Sequence, residues 1–385
     1  MVALVDGYVD HDAAVRDTQT YCEDVLTVPC KLHRVTGTTK RLLQLGSLAL
    51  PGSWERAQYR RSAFQRVLDD HLTVHRYDVV VSEFAFMGGY RISPASGSRP
   101  RSRPRLVLDE HNIEYDILRR TASASGFTRR VFNAVNWRKL RREETRVWRR
   151  FDGCTLTSER DAEIVRREVP SLPTSVIPNG VDVDLFRPGA PGDADPMTLL
   201  FFGAINYYPN TDGATFFVKQ VFPLLRARYP KLRLRIVGPI PDALIPTLSD
   251  ERVDVVGFVD DVIAEIARST VVVVPLRIGG GTRLKIVEAM SMGKPIVSTR
   301  LGAEGIDVSH EKELLLADTP SDLGREIGRV LDDPALGQRL GGEARRTAVE
   351  KYSWETGAAK LVDFYGELLA RGAAPSNARS FSGAV

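Results

Sequence analysis

The residues best suited to chemistry lie between Pro275 and Thr299, in the run PLRIGGGTRLKIVEAMSMGKPIVST. An apolar stretch ends at Pro275, three glycines follow at Gly279, Gly280 and Gly281, and a helix is expected from about Thr282. Glycines let a ligand approach the backbone closely. Exposed N–H groups at a helix start, reinforced by the helix dipole, favour an anion such as phosphate. Arg283 and Lys285 add two cations to that first turn, where an isolated helix would prefer acids. Their placement makes sense with a polyanion bound. Glu288, three residues beyond Lys285, shares its helix face and is suited to accept hydrogen bonds from ribose hydroxyls. A glycine-rich loop alone is a weak marker, and the plain alternative is a turn whose basic residues are merely solvated.

A second constellation surrounds His111. It follows the apolar run RLVLD, with Asp109, Glu110 and Glu114 beside it, at the carboxyl end of an expected strand, where sites in open α/β sheets lie. An imidazole with a near-neutral pKa can take a modest part in proton handling, although a lone histidine is as readily a surface or capping residue. No convincing pair of general acid and base stands out. Cys22, Cys30 and Cys154 show neither CxxC nor metal-ligand spacing, so they are expected as small core hydrophobes in a reducing compartment, and no metal is expected.

At 385 residues, 43% hydrophobic and 26% charged, the chain is long enough for two domains. From residue 198 onward the runs TLLFFG, LRLRIVG, VDVVGFV, VVVVP and PIVST alternate with amphipathic stretches, such as Thr211 to Tyr229 after a cap signal at Asn210, and Arg283 to Met292. That alternation is the mark of βα units on a parallel sheet, and the valine run implies a strand covered on both faces. The first half carries VALV, VLTV, DVVVS, RLVLD, CTLT and TSVIP, which also suit parallel strands. The loop SPASGSRPRSRP (93–104) is flexible by composition, and PGAPGDADP (188–196) separates the halves. The expected organisation is α/β: a Rossmann-like domain over 1–182, a linker over 183–197, a second Rossmann-like domain over 198–352, a helix over 353–371 crossing back to the first domain, and a disordered tail over 372–385. The opening VALV runs into DGYVDHDAAV with a single glycine, so the initial βα unit of the first domain is expected to lie upstream of Met1 or to be lost.

No window approaches the roughly 18 uninterrupted apolar residues of a membrane span, and no signal-peptide pattern opens the chain, so a cytoplasmic protein is expected. The segment from Arg119 to Arg150 holds eleven Lys or Arg against two Glu, with Phe127, Phe132, Trp137 and Trp148 interleaved. It suits contact with anionic lipid on the inner face of the membrane or steering of an anionic substrate. Its apolar residues keep no clean stripe, so a solvated helix face is an equal reading.

The chain resembles family 4 retaining glycosyltransferases of the GT-B fold, especially those linked to exopolysaccharide assembly. The resemblance runs from residue 1 to about 370 and is most specific in LDEHNIEYDILRR (108–120), VIPNGVDVDLFRP (176–188), LLFFGAINYYPN (199–210) and GGGTRLKIVEAMSMGKPIVSTRLGAEGI (279–306). It implies two Rossmann-like domains, a nucleoside-diphosphate sugar on the second, a glycan or polyprenyl-linked acceptor on the first, and reaction in the cleft without an obligatory metal. No cofactor and no nucleic acid is implied, the nucleotide sugar being a co-substrate. Gly203, Asn206, Gly279, Gly280, Gly281 and Thr282 are then donor-binding, and Glu288 is the second of the family's two glutamates, implied to bind ribose. The first falls on Gly280, so recognition of the transferred sugar must come from elsewhere. The Arg and Lys common after the first strand of the second domain are replaced by Ala204 and Pro209, which leaves Arg283 and Lys285 as the diphosphate clamp. His111 matches the cleft histidine, implied to contact the transferred sugar and steer the acceptor. Gly302 and Glu304 are candidates for closing over the nucleotide, as Glu110 is for the first-domain site. Asn179 to Asp182 suits an interdomain turn with αL geometry.

Three other readings compete. A nicotinamide-dependent oxidoreductase would need a GxGxxG after a strand, which is missing. An epimerase would need catalytic carboxylates that cannot be located. A non-catalytic nucleotide- or glycan-binding protein is compatible with Gly280 and with a missing first βα unit.

Overall fold

The β-branched runs picked out in both halves all form strands. The computed structural model describes residues 1–6, 11–30, 43–44, 46–92, 103–123, 127–190, 192, 194–279 and 281–373. Gly280, nearly all of the 93–104 loop and the tail beyond 373 lie outside the described residues.

The first of two units comprises Met1–Leu156, Asp161–Ser175 and the chain from Val362. Strands β1 (Val2–Asp6) and β2 (Leu26–Cys30) pair in parallel, with helix α1 (His11–Thr18) between them in sequence. After α2 (Trp54–Tyr59) and α3 (Ser62–Val74) comes a four-stranded sheet in the order β3-β4-β5-β6, formed by Val79–Glu83, Arg105–Glu110, Gly153–Leu156 and Thr174–Val176. A short helix α4 (Phe84–Met87) follows β3 directly, while α5 (Glu114–Ser123) and α6 (Phe127–Trp148) link β4 to β5 and α7 (Glu159–Glu168) precedes β6. Val107, Leu108, Cys154 and Leu156 are fully buried in this sheet, and Phe364 and Leu368 of the last helix pack with Val107.

The second unit comprises Thr157–Arg160 and Val176–Leu361, so the stretch 183–197, expected as a linker, lies within it. Its six strands are β7 (Thr198–Phe202), β8 (Arg233–Val237), β9 (Val253–Gly257), β10 (Val271–Val274), β11 (Ile296–Ser298) and β12 (Leu315–Leu316), in the spatial order β12-β11-β10-β7-β8-β9. The chain starts at β7, winds outward through β8 and β9, then returns to the other side of β7 as β10. The pair β7–β10 is thus where strand order reverses, and ligands of open α/β sheets bind outside the carboxyl ends of strands at such a point. Val271 to Val274 are buried at 0–1% exposure, as expected of a strand covered on both faces.

Helices Tyr208–Phe216 (α8) and Phe222–Arg228 (α9), joined by a π turn over Phe217–Val221, cover this sheet, with Ile245–Leu248 (α10) and Val262–Arg268 (α11) further on. Helix α8 starts earlier than the Asn210 cap signal implies. Pro209 sits in its first turn, where a missing N–H costs nothing, and Asn210 lies inside the helix, its side chain free for tertiary bonds. Leu284–Ser291 (α12), Pro320–Asp332 (α13), Pro334–Tyr352 (α14) and Trp354–Ala373 (α15) complete the chain. Asn179 and Gly180 do not adopt αL geometry. Gly180 is instead required by space, because a Cβ there would stand 2.8 Å from the Trp354 ring. The turn is closed by Asp182, which accepts from the Asp184 and Leu185 amides at 3.0 and 2.8 Å. No described helix is long and apolar enough to cross a membrane.

Candidate functional site

In the second unit, β7 ends at Gly203, whose φ of +130° only glycine adopts readily. Any side chain at this position would place its Cβ 2.8 Å from Lys285 Nζ. Lys285 therefore reaches back from the first turn of α12 to the tip of β7, the place left without a cation by Ala204 and Pro209. Its ammonium donates to Asn210 Oδ1 at 2.9 Å and lies 4.6 Å from the centre of the Phe201 ring. Asn210 Nδ2 in turn donates to the Ala204 carbonyl at 2.8 Å, and the Asn206 amide donates to the Pro239 carbonyl at 3.0 Å, which fixes the loop between β7 and α8.

Burial pushes the Lys285 ammonium down to about 7, Arg283 beside it adds to the fall, and Glu288 opposes it. The Glu288 carboxyl is itself raised by burial, with Lys285 pulling the other way. Arg283 occupies the cap position of α12, donates to the Gly281 carbonyl at 2.8 Å, and would stand 2.9 Å from a Cβ on Gly279. The Thr282 hydroxyl is buried and has no hydrogen-bond partner among the described residues. Two cations, a buried hydroxyl and the start of α12 thus converge beyond β7 and β10.

Gly302 and Glu304 are placed differently. Gly302 is buried where a Cβ would overlap Ser298 Oγ and the Val274 carbonyl, and its amide donates to Thr299 Oγ1 at 2.9 Å. Glycine is required there by packing. Glu304 stands 3.6 Å from Arg160 Nε within the same unit.

In the first unit, His111 Nε2 lies 2.8 Å from Glu83 Oε2 and 3.5 Å from Asp109 Oδ2, with the ring 4.3 Å from that of Phe84. Hydrogen bonding to Asp109 and then Glu83 raises the imidazole to about 10, against its own desolvation. The near-neutral pKa expected for His111 is overturned: two carboxylates keep it an imidazolium at neutral pH. Glu83, Asp109 and His111 bring ligand atoms within 4.8 Å of one another, but a cation would have to displace the proton that already offsets those carboxylates.

Glu110 is wholly buried, with Trp148 Nε1 donating to it at 2.7 Å and the Ala85 amide at 3.1 Å. Burial raises its carboxyl to about 8, and each oxygen accepts one bond from within the fold. Nearby, Glu144 accepts from the Glu114 and Tyr115 amides at 3.1 and 3.0 Å and so serves the start of α5. Glu83 and Glu144 were missed from sequence. The only signal for Glu144 was a pair of acids amid eleven cations. Along α6 the buried residues include Asn133, Asn136, Leu140, Glu143, Glu144 and Val147, so its inward face is largely polar, which is why no apolar stripe was visible. Several of its neighbourhood's cations serve the fold: Lys139 donates to the Ser47, Leu48 and Leu50 carbonyls, Arg141 to Glu168 and Arg150 to the Tyr90 carbonyl.

Each half of the chain matches a known family model. Residues 34–185 match the model of "Glycosyltransferase Family 4" and residues 196–333 that of "Glycosyl transferases group 1". The chain is 39% identical over 121 residues to an MMP alpha-(1->4)-mannosyltransferase of Mycolicibacterium hassiacum, covering 31% of this chain and 29% of that one. It is 30% identical over 244 residues to a D-inositol 3-phosphate glycosyltransferase of Streptomyces bingchenggensis, covering 55% and 52%. It thus spans about half the length of these relatives or less. Among solved structures it shares its fold with sucrose-phosphate synthase from Thermosynechococcus elongatus (TM-score 0.64, 20% identity, 90% and 84% covered). It does so equally with Anabaena HepE in complex with UDP (TM-score 0.64, 16% identity, 95% and 99% covered). Matched in its first half by the family 4 model and in its second by that of glycosyl transferases group 1, the chain belongs to the glycosyltransferases of the GT-B fold.

Proposed function

We propose that the protein is a retaining glycosyltransferase that moves a sugar from a nucleoside-diphosphate sugar to a glycan or lipid-linked acceptor in polysaccharide or glycoconjugate synthesis. One observation carries the proposal: the buried Lys285 ammonium, beside Arg283, reaches the glycine that ends β7. A diphosphate lodged between that strand tip and the start of α12 would meet both cations, the Thr282 hydroxyl and the helix dipole. As the sugar–phosphate bond breaks, negative charge grows on the leaving diphosphate, and fixed cations in a desolvated site stabilise that charge most. Retention through an ion-pair-like intermediate needs no protein nucleophile, in keeping with the lack of an acid–base pair. Glu288 is assigned to ribose and His111, as an imidazolium, to steering the acceptor.

Anabaena HepE, alike in fold, is solved in complex with UDP, and uridine nucleotides are therefore the first donors to try. The exposed Arg138, Arg142 and Arg146 of α6 are compatible with a peripheral contact to an anionic membrane. Titration with a panel of nucleotide sugars, followed by transfer assays, tests the proposal. Binding to none of them overturns it. Binding without transfer to any acceptor favours the non-catalytic reading, which the glycine at position 280 keeps in play.

A further inference from the structure

We propose that the first unit binds the phosphate or diphosphate group of the acceptor in an arginine-lined cavity. The word acceptor rests on the glycosyltransferase reading, whereas the anion rests on the cavity itself. A cavity of about 680 Å³ is lined from α2, α3 and the stretch that follows α4. Ligand sites span roughly 300–1,000 Å³, so there is room for a sugar phosphate or a diphosphate head.

Arg56, Arg60, Arg61, Arg66 and Arg91 line this cavity against two acids, Asp69 and Glu143. The two acids offset only part of this charge: Arg56 forms an ion pair with Glu143 at 3.6 Å and Arg91 with Asp69 at 3.8 Å. Each acid is also engaged elsewhere, since Glu143 accepts from the Ser53 amide at 3.2 Å and Asp69 from Gln65 Nε2 at 2.8 Å. Arg60 and Arg66 have no acidic partner among the described residues. The Arg61 guanidinium is spent on the Arg60 carbonyl at 3.1 Å. Like charges gathered in one concavity repel, and an anion would relieve that repulsion. The planar fork of arginine matches phosphate oxygens two at a time.

Phe86 and Tyr90 give the wall two aromatic rings. Phe86 stacks on Tyr59, outside the lining, with ring centres 4.8 Å apart and planes 2° apart, and the Tyr90 hydroxyl accepts from the Arg61 amide at 2.9 Å while donating to the Tyr59 carbonyl. Such rings suit the apolar face of a sugar. The cavity is also tied to His111 inside this unit. Phe84 lies against the His111 ring and Phe86 lines the cavity, both from the single turn of α4. The cavity and His111 are thus both in contact with residues of α4.

The test uses the full chain with inorganic pyrophosphate as probe. In an Arg283→Ala, Lys285→Ala background the donor clamp is gone, and the pyrophosphate binding that remains reports the cavity. Adding Arg60→Gln with Arg66→Gln, both exposed, is expected to weaken that binding by about tenfold or more and to flatten its salt dependence. Lysine at both positions should restore part of it. Affinity unchanged by the glutamine pair overturns the proposal. In the unmodified chain the same pair should remove one class of pyrophosphate site and leave the other, so the test survives poor folding of the alanine variant. Displacement by glucose 1-phosphate assigns the site to a soluble sugar phosphate, and displacement only by vesicles carrying a polyprenyl diphosphate assigns it to a lipid head. Displacement by neither overturns it. Failure of the donor reading would show separately, as binding indifferent to the alanine pair yet sensitive to the glutamine pair.

Discussion

Two cations in this molecule are shifted in opposite directions. His111, in the first unit, sits among carboxylates and is raised to about 10; Lys285, in the second, is buried beside Arg283 and is lowered to about 7. The first is already neutralised by its own fold, with Glu83 and Asp109 in reach. Among the described residues the second has a neutral amide oxygen and an aromatic face as close partners, with Glu288 acting more weakly. A site that holds its cation discharged is completed by an anion from outside; a site that holds its cation paired is complete as it stands. The contrast supports the proposed anion site at the end of β7 and puts a fixed positive charge at the end of β4.

The strongest way to break this contrast is to remove the cations of the second unit. Arg283→Ala with Lys285→Ala should lower kcat/KM by about 10²–10³ or more, the loss typical of a transition-state charge left without its stabiliser. Steady-state transfer assays read it. Unchanged turnover would remove the clamp from the mechanism. Gly203→Ala should reproduce much of this loss without touching a charge, because its Cβ would displace the Lys285 ammonium from 2.8 Å away.

Next in size is the pH dependence. Lys285 in the unoccupied site loses its proton near pH 7, and a bound diphosphate should return it toward the ordinary lysine range. Binding then takes up a proton above pH 7, so affinity for a nucleotide sugar should fall about tenfold per pH unit as the solution is made more alkaline. Calorimetry in buffers of different ionisation enthalpy would register the uptake. Lys285→Arg, which stays charged, should bind with a flat profile over the same range. If the wild type is equally flat, the ammonium is not discharged in the empty site.

The strands and the glycine loop before α12 were legible in sequence because both are local: β-branched runs bounded by turns, and glycines beside a helix start. The valines at 271–274 also announced a strand buried on both faces. What stayed hidden depends on side chains that meet across long sequence separations. Nothing near Lys285 says that it reaches Gly203, 82 positions earlier. Asn210 looked like a helix cap because caps and tertiary amides draw on the same residue types, and only the fold shows it holding Lys285 and the Ala204 carbonyl together. The pKa of His111 was misjudged because Glu83 comes from a different strand. The polar inner face of α6 carries no period that hydrophobicity can reveal.

A smaller effect sharpens the first-unit half of the contrast. Glu110 is raised by burial to about 8 in the fold, so the folded chain keeps a proton that the unfolded chain has lost. The stability this contributes is full below the ordinary carboxylate range and is lost as pH rises toward 8. Glu110→Gln keeps one acceptor but turns its amide toward the other of the two donors, Trp148 Nε1 or the Ala85 amide, which should cost about 1–3 kcal/mol at pH 5. The penalty should shrink by pH 8, where the wild type is itself penalised. Thermal melts at the two pH values give the comparison, and an equal gap at both would mean that Glu110 carries no proton in the fold.

The smallest expected change concerns His111 itself. Because its imidazolium persists to about pH 10, kcat/KM should show no inflection from this residue near pH 6.5. Glu83→Gln removes one of the two carboxylates and should move the histidine's titration, followed by NMR of its ring protons, down toward neutrality. Asp109, 3.5 Å away, remains to hold the charge at pH 7, so turnover at that pH should change by no more than about threefold. Pairing Glu83→Gln with Asp109→Asn should then bring an inflection into the neutral range of the activity profile. If the single variant alone produces that inflection, the charge at the end of β4 is held by Glu83 and not shared, and the first-unit site is less complete than the contrast with Lys285 requires.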